Sequence, residues 1–137
     1  MTRFTKLNAE GNPAATDATD HSAVIDANTG LMWAAVELTD EEVDHYDAER
    51  LATDCRLLGF DDWRLPTVEE LFAIGDRARV RPAIDTDAFP NAKADWYWSS
   101  SLFAGDSGFA WIVDFRLGYA DICGRGYDFA FVRAVRG

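Results

Sequence analysis

Cys55, Cys123, His21 and His45 are the only cysteines and histidines in this 137-residue chain. A cysteine nucleophile needs a base within reach and a third group to orient that base. Cys55 falls on the apolar arc of the clearest amphipathic segment, where a thiol is expected to be buried and inert. There is no CxxC pair, so zinc-ribbon and thioredoxin-like chemistry are not supported. His45 stands near Glu41, Asp44 and Glu49 at helical ligand spacing. One histidine with several carboxylates specifies a metal weakly, and a solvated charged face explains the pattern as well. Asp26-Ala-Asn-Thr-Gly30 fails the calcium-loop pattern, because its glycine comes one place early and no glutamate closes the loop. No Ser-His-Asp arrangement can be placed. The expectation is a binding protein rather than an enzyme, with no catalytic residue, metal or cofactor.

Charge narrows the partners. The net charge is −11, and residues 1–62 hold 14 acids against four bases, while residues 63–137 hold ten against nine. A polyanionic duplex or an anionic membrane is therefore disfavoured as a direct partner, and a basic protein surface is not. No segment is apolar for long enough to span a bilayer, and residues 1–10 lack the apolar core of a secretory signal. Unless a leader has been trimmed, the protein is expected to stay in the cytoplasm, with both thiols reduced.

The elements that must position these residues read as one α+β domain over residues 1–137. Hydrophobic residues make up 48% and aromatics 13%, enough for one core. Phe4-Thr-Lys-Leu reads as a short edge segment, followed by a polar loop to residue 22. Ala23-Val-Ile-Asp and Leu31-Met-Trp-Ala read as strands joined by a turn at Gly30. At about 100° per residue, Ala48, Leu51, Ala52, Cys55 and Leu58 share an arc, with Gly59 as the stop. The start of this helix is left between Thr39, which forms a capping-box pattern with Glu42, and the neighbourhood of Asp47. Thr67 and Glu70 form a second capping box for a helix to about Gly75. Residues 76–95 read as loop. Trp96-Tyr-Trp-Ser-Ser-Ser, the alternating Phe109, Trp111, Val113 and Phe115, and Tyr119-Ala-Asp-Ile-Cys are strands, and residues 128–136 close the chain.

Several blocks suggest a family. Val24-Ile-Asp-Ala-Asn-Thr-Gly-Leu-Met-Trp33, Asp62-Trp-Arg-Leu-Pro-Thr-Val-Glu-Glu-Leu71, Phe89-Pro90, Tyr97-Trp-Ser-Ser100 and Val132-Arg-Ala-Val-Arg136 occur in that order. The chain resembles the Lcl C-terminal domain family, known from a bacterial collagen-like adhesin and from phage and prophage proteins. The resemblance implies a C-type-lectin-like fold: two helices packed on a small twisted antiparallel sheet, with N- and C-terminal strands paired. It also implies a binding role, including binding to sulfated glycans, and no catalytic set. Two departures matter. Ala134 stands where relatives often carry a cysteine able to pair with one at the place of Cys55. The acid-rich composition also argues against sulfated sugars. Formylglycine-generating enzymes share the broader fold and use a C-terminal cysteine pair, of which only Cys123 has a counterpart here.

Trp33, Trp63, Trp98 and Trp111 are expected in the core, while Trp96 is left between core and surface. Arg64 is expected to tie the Trp63 link to Glu69 or Glu70. Two functional readings remain. In the first, Trp96, Tyr97, Arg116, Tyr119, Asp121, Arg125 and Tyr127, with the Gly105-Asp-Ser-Gly108 turn, bind a protein or glycan. In the second, an intracellular inhibitor of anti-CRISPR type uses Glu37, Asp40, Glu41, Glu42, Asp44, Asp47 and Glu49 to cover a basic nucleic-acid-binding protein. Self-association is compatible with both. A plain solvated surface is the alternative for the acidic run.

Overall fold

In a computed structural model, residues 2–137 are described. The fold is α+β, with two helices and two antiparallel sheets. Strands β1 (Phe4–Leu7), β2 (Ala23–Asp26) and β3 (Met32–Ala34) run antiparallel, and β7 (Val135–Arg136) completes the first sheet beside β3. The resemblance implies directly paired terminal strands. Instead β1 and β7 lie at opposite edges of the same sheet, because the β2–β3 hairpin sits between them. That hairpin turns at Gly30, whose φ of 76° favours glycine. The Asp26 carboxylate caps the turn from Asn28 N–H and takes both a 2.9 Å and a 2.8 Å bond from Arg3.

The second sheet is a meander of β4 (Trp96–Leu102), β5 (Phe109–Asp114) and β6 (Tyr119–Gly124). Its alternation covers both faces. Tyr97 and Val113 point into a core with Leu71, Ile74, Phe89 and Phe115, whereas Trp98, Ala110 and Ile112 point into a core with Ala48 and Ala52. Helix α2 (Val68–Ala73) therefore lies over one face and α1 (His45–Asp54) over the other. The expected Thr67–Glu70 capping box is formed. Helix α1 starts between the two expected places: Asp44 is its cap, accepting from Asp47 N–H at 2.9 Å, and Thr39 bonds Glu41 instead. It also ends early. Cys55 turns extended, and Leu58 (φ 57°) and Gly59 (φ 80°) form a left-handed corner in a 3₁₀ turn, Leu57–Gly59, so Leu58 leaves the helical arc. No helix among the described residues is long and apolar enough to cross a membrane.

Trp33, Trp63 and Trp98 are buried as expected, but Trp111 is only half-buried. It shares the α2 face with Val113 at the far end of β5, where its ring meets the edge of Phe103 at 6.0 Å. Trp96 is also half-buried, packed against the α1-side core.

The C-terminal segment joins the two sheets. Phe131 bonds the backbone of Trp96 and Trp98 on β4, Ala130 exchanges two bonds with Val43, and Val135 exchanges two with Arg64. The Arg64 side chain meets Glu70 in a bidentate pair at 2.8 and 2.9 Å, so the link before α2 is tied as expected. At the centre of the segment Arg133 is 1% exposed. Its guanidinium donates to the Ala34 and Ala35 carbonyls at 3.0 and 2.8 Å and to Glu37 at 3.2 Å, and it lies over the Phe89 and Tyr97 rings. The Tyr97 hydroxyl donates to the same Glu37 oxygen. Removing one partner of a buried pair strands the other, at a cost of about 3–5 kcal/mol. Urea denaturation should therefore show Glu37→Ala and Arg133→Ala each losing about that much, with the double variant well short of the sum. Additive losses would mean the pair does not act as a unit.

Candidate functional site

The seven residues expected to form one recognition surface do not converge. Strand β6 separates them: Tyr119 opens it and Arg125 follows it, so at about 3.3 Å per residue they stand roughly 20 Å apart. Tyr97 is not on a surface at all. It is 1% exposed because its position on β4 faces the α2 side, and its hydroxyl lies over Glu37 and accepts from Lys93 N–H. Burial first, and then the Glu37 carboxylate against the opposing Arg133 charge, push this phenol well above its ordinary value. At the β5–β6 turn, Arg116 grips the buried Asp114 carboxylate with bonds of 2.6 to 3.1 Å. Burial pushes that carboxyl up, but the Arg116 bonds outweigh it and hold it below its ordinary value. Arg116 is thus a turn brace, with Tyr119 half-exposed beside it. Asp121 projects from the solvent side of β6.

The acidic run does not form one patch either. Glu37 is internal, neutralised by Arg133. Asp44 caps α1, Asp47 pairs with Arg50 at 2.6 Å, and Glu49 pairs with Arg125 at 2.9 Å. The compensating bases absent from the run come from elsewhere in the chain, chiefly from the last third. Only Asp40, Glu41 and Glu42 remain as exposed neighbours with no ion pair among the described residues.

Where β6 leaves the sheet, different elements do meet. Arg125 donates from Nε to His45 Nδ1 at 2.9 Å and from its terminal nitrogen to Glu49, and it lies 4.4 Å over the Tyr46 ring. His45, expected on a solvated face, is fully buried, edge-on to Trp98. Its Nε2 meets the Ser99 carbonyl at 2.8 Å. A carbonyl only accepts, so Nε2 carries the proton and Nδ1 is left to receive Arg125. The site requires the neutral ring. Tyr46, under the Arg125 guanidinium, is 54% exposed, and Tyr127 and Phe129, which follow Arg125 in the chain, are 88% and 53% exposed. Tyr46 and Phe129 are the residues that the sequence reading missed. Tyr46 was legible only as lying outside the apolar arc of its helix.

A second feature was not visible in sequence. A cleft of about 480 Å³ lies between residues 19–22, residues 34–38, the end of α1 and Pro90-Asn91. His21, Glu37, Asp20 and Cys55 line it. Cys55, expected to be buried, is only partly buried there because α1 ends at Asp54. Cys123 is the buried thiol, which burial, with Asp128, Asp121 and Asp114 nearby, pushes up to about 12. No group of three His, Cys, Asp or Glu side chains among the described residues is placed to hold a metal ion.

Burial lowers the His45 value below its ordinary 6.5, with Arg125 acting the same way and the Ser99 carbonyl, Glu49 and Asp44 opposing. The unfolded ring then takes up a proton that the folded ring refuses. Stability is therefore full above about pH 6.5 and declines as pH falls toward the lower folded value. The urea midpoint should drop between pH 7.5 and 5.5, and His45→Gln should be less stable at pH 7.5 yet fall less over that interval. Parallel pH profiles for the two proteins would remove His45 as the cause.

Comparison with known proteins adds one match. Residues 22–136 match the Lcl C-terminal domain, which accounts for both sheets apart from β1, both helices and the Arg133 network. No curated protein matches the chain. With the match spanning nearly the whole sequence, the chain belongs to the Lcl C-terminal domain family.

Proposed function

We propose that the chain is a non-catalytic binding module that recognises a glycan or protein through the end of the three-stranded sheet that carries Tyr46, Arg125, Tyr127 and Phe129. One observation carries this reading: an already immobilised Arg125 lies over the exposed Tyr46 ring, and two further exposed aromatics, Tyr127 and Phe129, follow it within four residues of chain. Isolated exposed aromatics are ordinary, but a gathered set with a clamped arginine has the composition of an interaction hot spot. Aromatic faces stack on sugar rings and on partner side chains, and a pre-ordered arginine loses little entropy when it binds.

Backbone bonds reinforce the platform. Arg125 N–H bonds the Gly108 carbonyl at 2.9 Å, His45 N–H bonds the Arg125 carbonyl at 3.0 Å, and Gly124 N–H bonds Asp128 at 2.7 Å. Glu49 and Asp128 beside the rings disfavour sulfated ligands, so neutral or amino sugars and basic peptide segments fit best. A glycan array and a cross-linking pull-down, each with wild type and Tyr46→Ala/Tyr127→Ala, test the reading. Loss of two anchors worth together about 1.4 kcal/mol or more should weaken binding at least tenfold. Ligands held equally by both proteins would place the site elsewhere.

A further inference from the structure

We propose that the cleft beside Cys55 is a separate binding site for a small ammonium compound with an apolar body. The site shares no residue with the Tyr46–Tyr127 platform and does not depend on it. Its volume, about 480 Å³, lies in the range of small-molecule sites. Ala34, Val36, Leu38, Leu57 and Pro90 supply an apolar lining, which suits a hydrocarbon or aromatic portion.

The polar lining combines Thr19, Ser22 and Asn91, which can donate or accept, with three groups that act as acceptors, His21, Glu37 and Asp20. His21 is 4% exposed, and its Nε2 meets the Ala88 carbonyl at 2.8 Å. That contact puts the proton on Nε2 and leaves Nδ1 as a bare acceptor, which no described group satisfies. Nδ1 is itself shielded from solvent, so it adds a partial negative charge to the wall rather than a direct ligand contact. Glu37 is a second acceptor. Its Oε1 takes the bonds from Tyr97 and Arg133, and its Oε2 takes none from the described residues. Asp20 adds a carboxylate, and no lysine or arginine lines the cleft. Arg133 balances Glu37 from beneath, so the lining keeps the negative charge of Asp20. A compact cation with several N–H donors matches this arrangement, and an anion of the same shape is repelled.

Cys55 provides the readout. It is partly buried in the lining but not closed off, while Cys123 is buried and serves as an internal control. Alkylation of each thiol by iodoacetamide at pH 7.5, followed by peptide mass mapping, should be measured with 2-phenylethylamine and with 3-phenylpropanoate. The amine is expected to slow Cys55 labelling at least fivefold at saturation, and the carboxylate to leave it unchanged. Asp20→Asn, a change on an exposed loop, should raise the half-protecting amine concentration about threefold. Failure of the amine to protect, equal protection by the carboxylate, or indifference to Asp20→Asn would each overturn the proposal.

Discussion

A guanidinium cannot be taken out of water unless its charge and its N–H groups are satisfied where it ends up. Arg133 meets most of that demand through its two terminal nitrogens, with two carbonyls of the segment leaving β3, the Glu37 carboxylate and two aromatic faces, while its Nε–H has no partner among the described residues. These partners come from three parts of the chain, residues 34–37, Phe89 and Tyr97. The requirement therefore joins the four-stranded sheet, the start of the acidic run, the Phe89 loop and β4 around one point. Tyr97 is drawn into the same network through Glu37. The C-terminal segment adds backbone bonds to β4, Val43 and Arg64, and its chain path is what makes two small sheets one body.

That arrangement also distributes the functional surfaces. The three-stranded sheet is covered by α2 on one face and α1 on the other, so only its two ends and its outer edge are open. At one end Arg116 is occupied in bracing Asp114. At the other, Arg125 is held by His45 and Glu49 above the exposed Tyr46 ring, with Tyr127 and Phe129 exposed in the segment that follows. The two arginines have similar surroundings in sequence, between a turn and a tyrosine. They differ because only Arg125 lies beside a helix N-terminus that contributes rings and a neutral imidazole.

The cleft lies on another side and arises from chain geometry rather than from a motif. The early end of α1 turns Cys55 out of the helical arc, and the left-handed corner at Leu58 and Gly59 carries Leu57 into the wall. The opposite wall comes from a loop that places His21 against the Ala88 carbonyl. Glu37 belongs to both the cleft and the Arg133 network, so the cleft floor is stiff where its acceptor sits.

Local patterns determined much of the protein. The Thr67–Glu70 capping box, the Gly30 turn, the Arg64–Glu70 tie, the β4–β6 meander and the burial of Trp33, Trp63 and Trp98 all follow from neighbours within a few residues or from strand alternation. The family blocks were legible for the same reason. What depended on distant partners was not. Glu37 and Tyr97 read as surface groups until Arg133, 96 residues beyond Glu37, is seen to bury them. The acidic run seemed uncompensated because Arg125 and Arg133 reach it only through the fold, and His45 seemed solvated because its partners, Ser99 and Arg125, lie on the β-meander. A sequence shows the charges and the periodicities. Which charges neutralise one another, and which rings are left facing water, is decided by distances that exist only once the chain has folded.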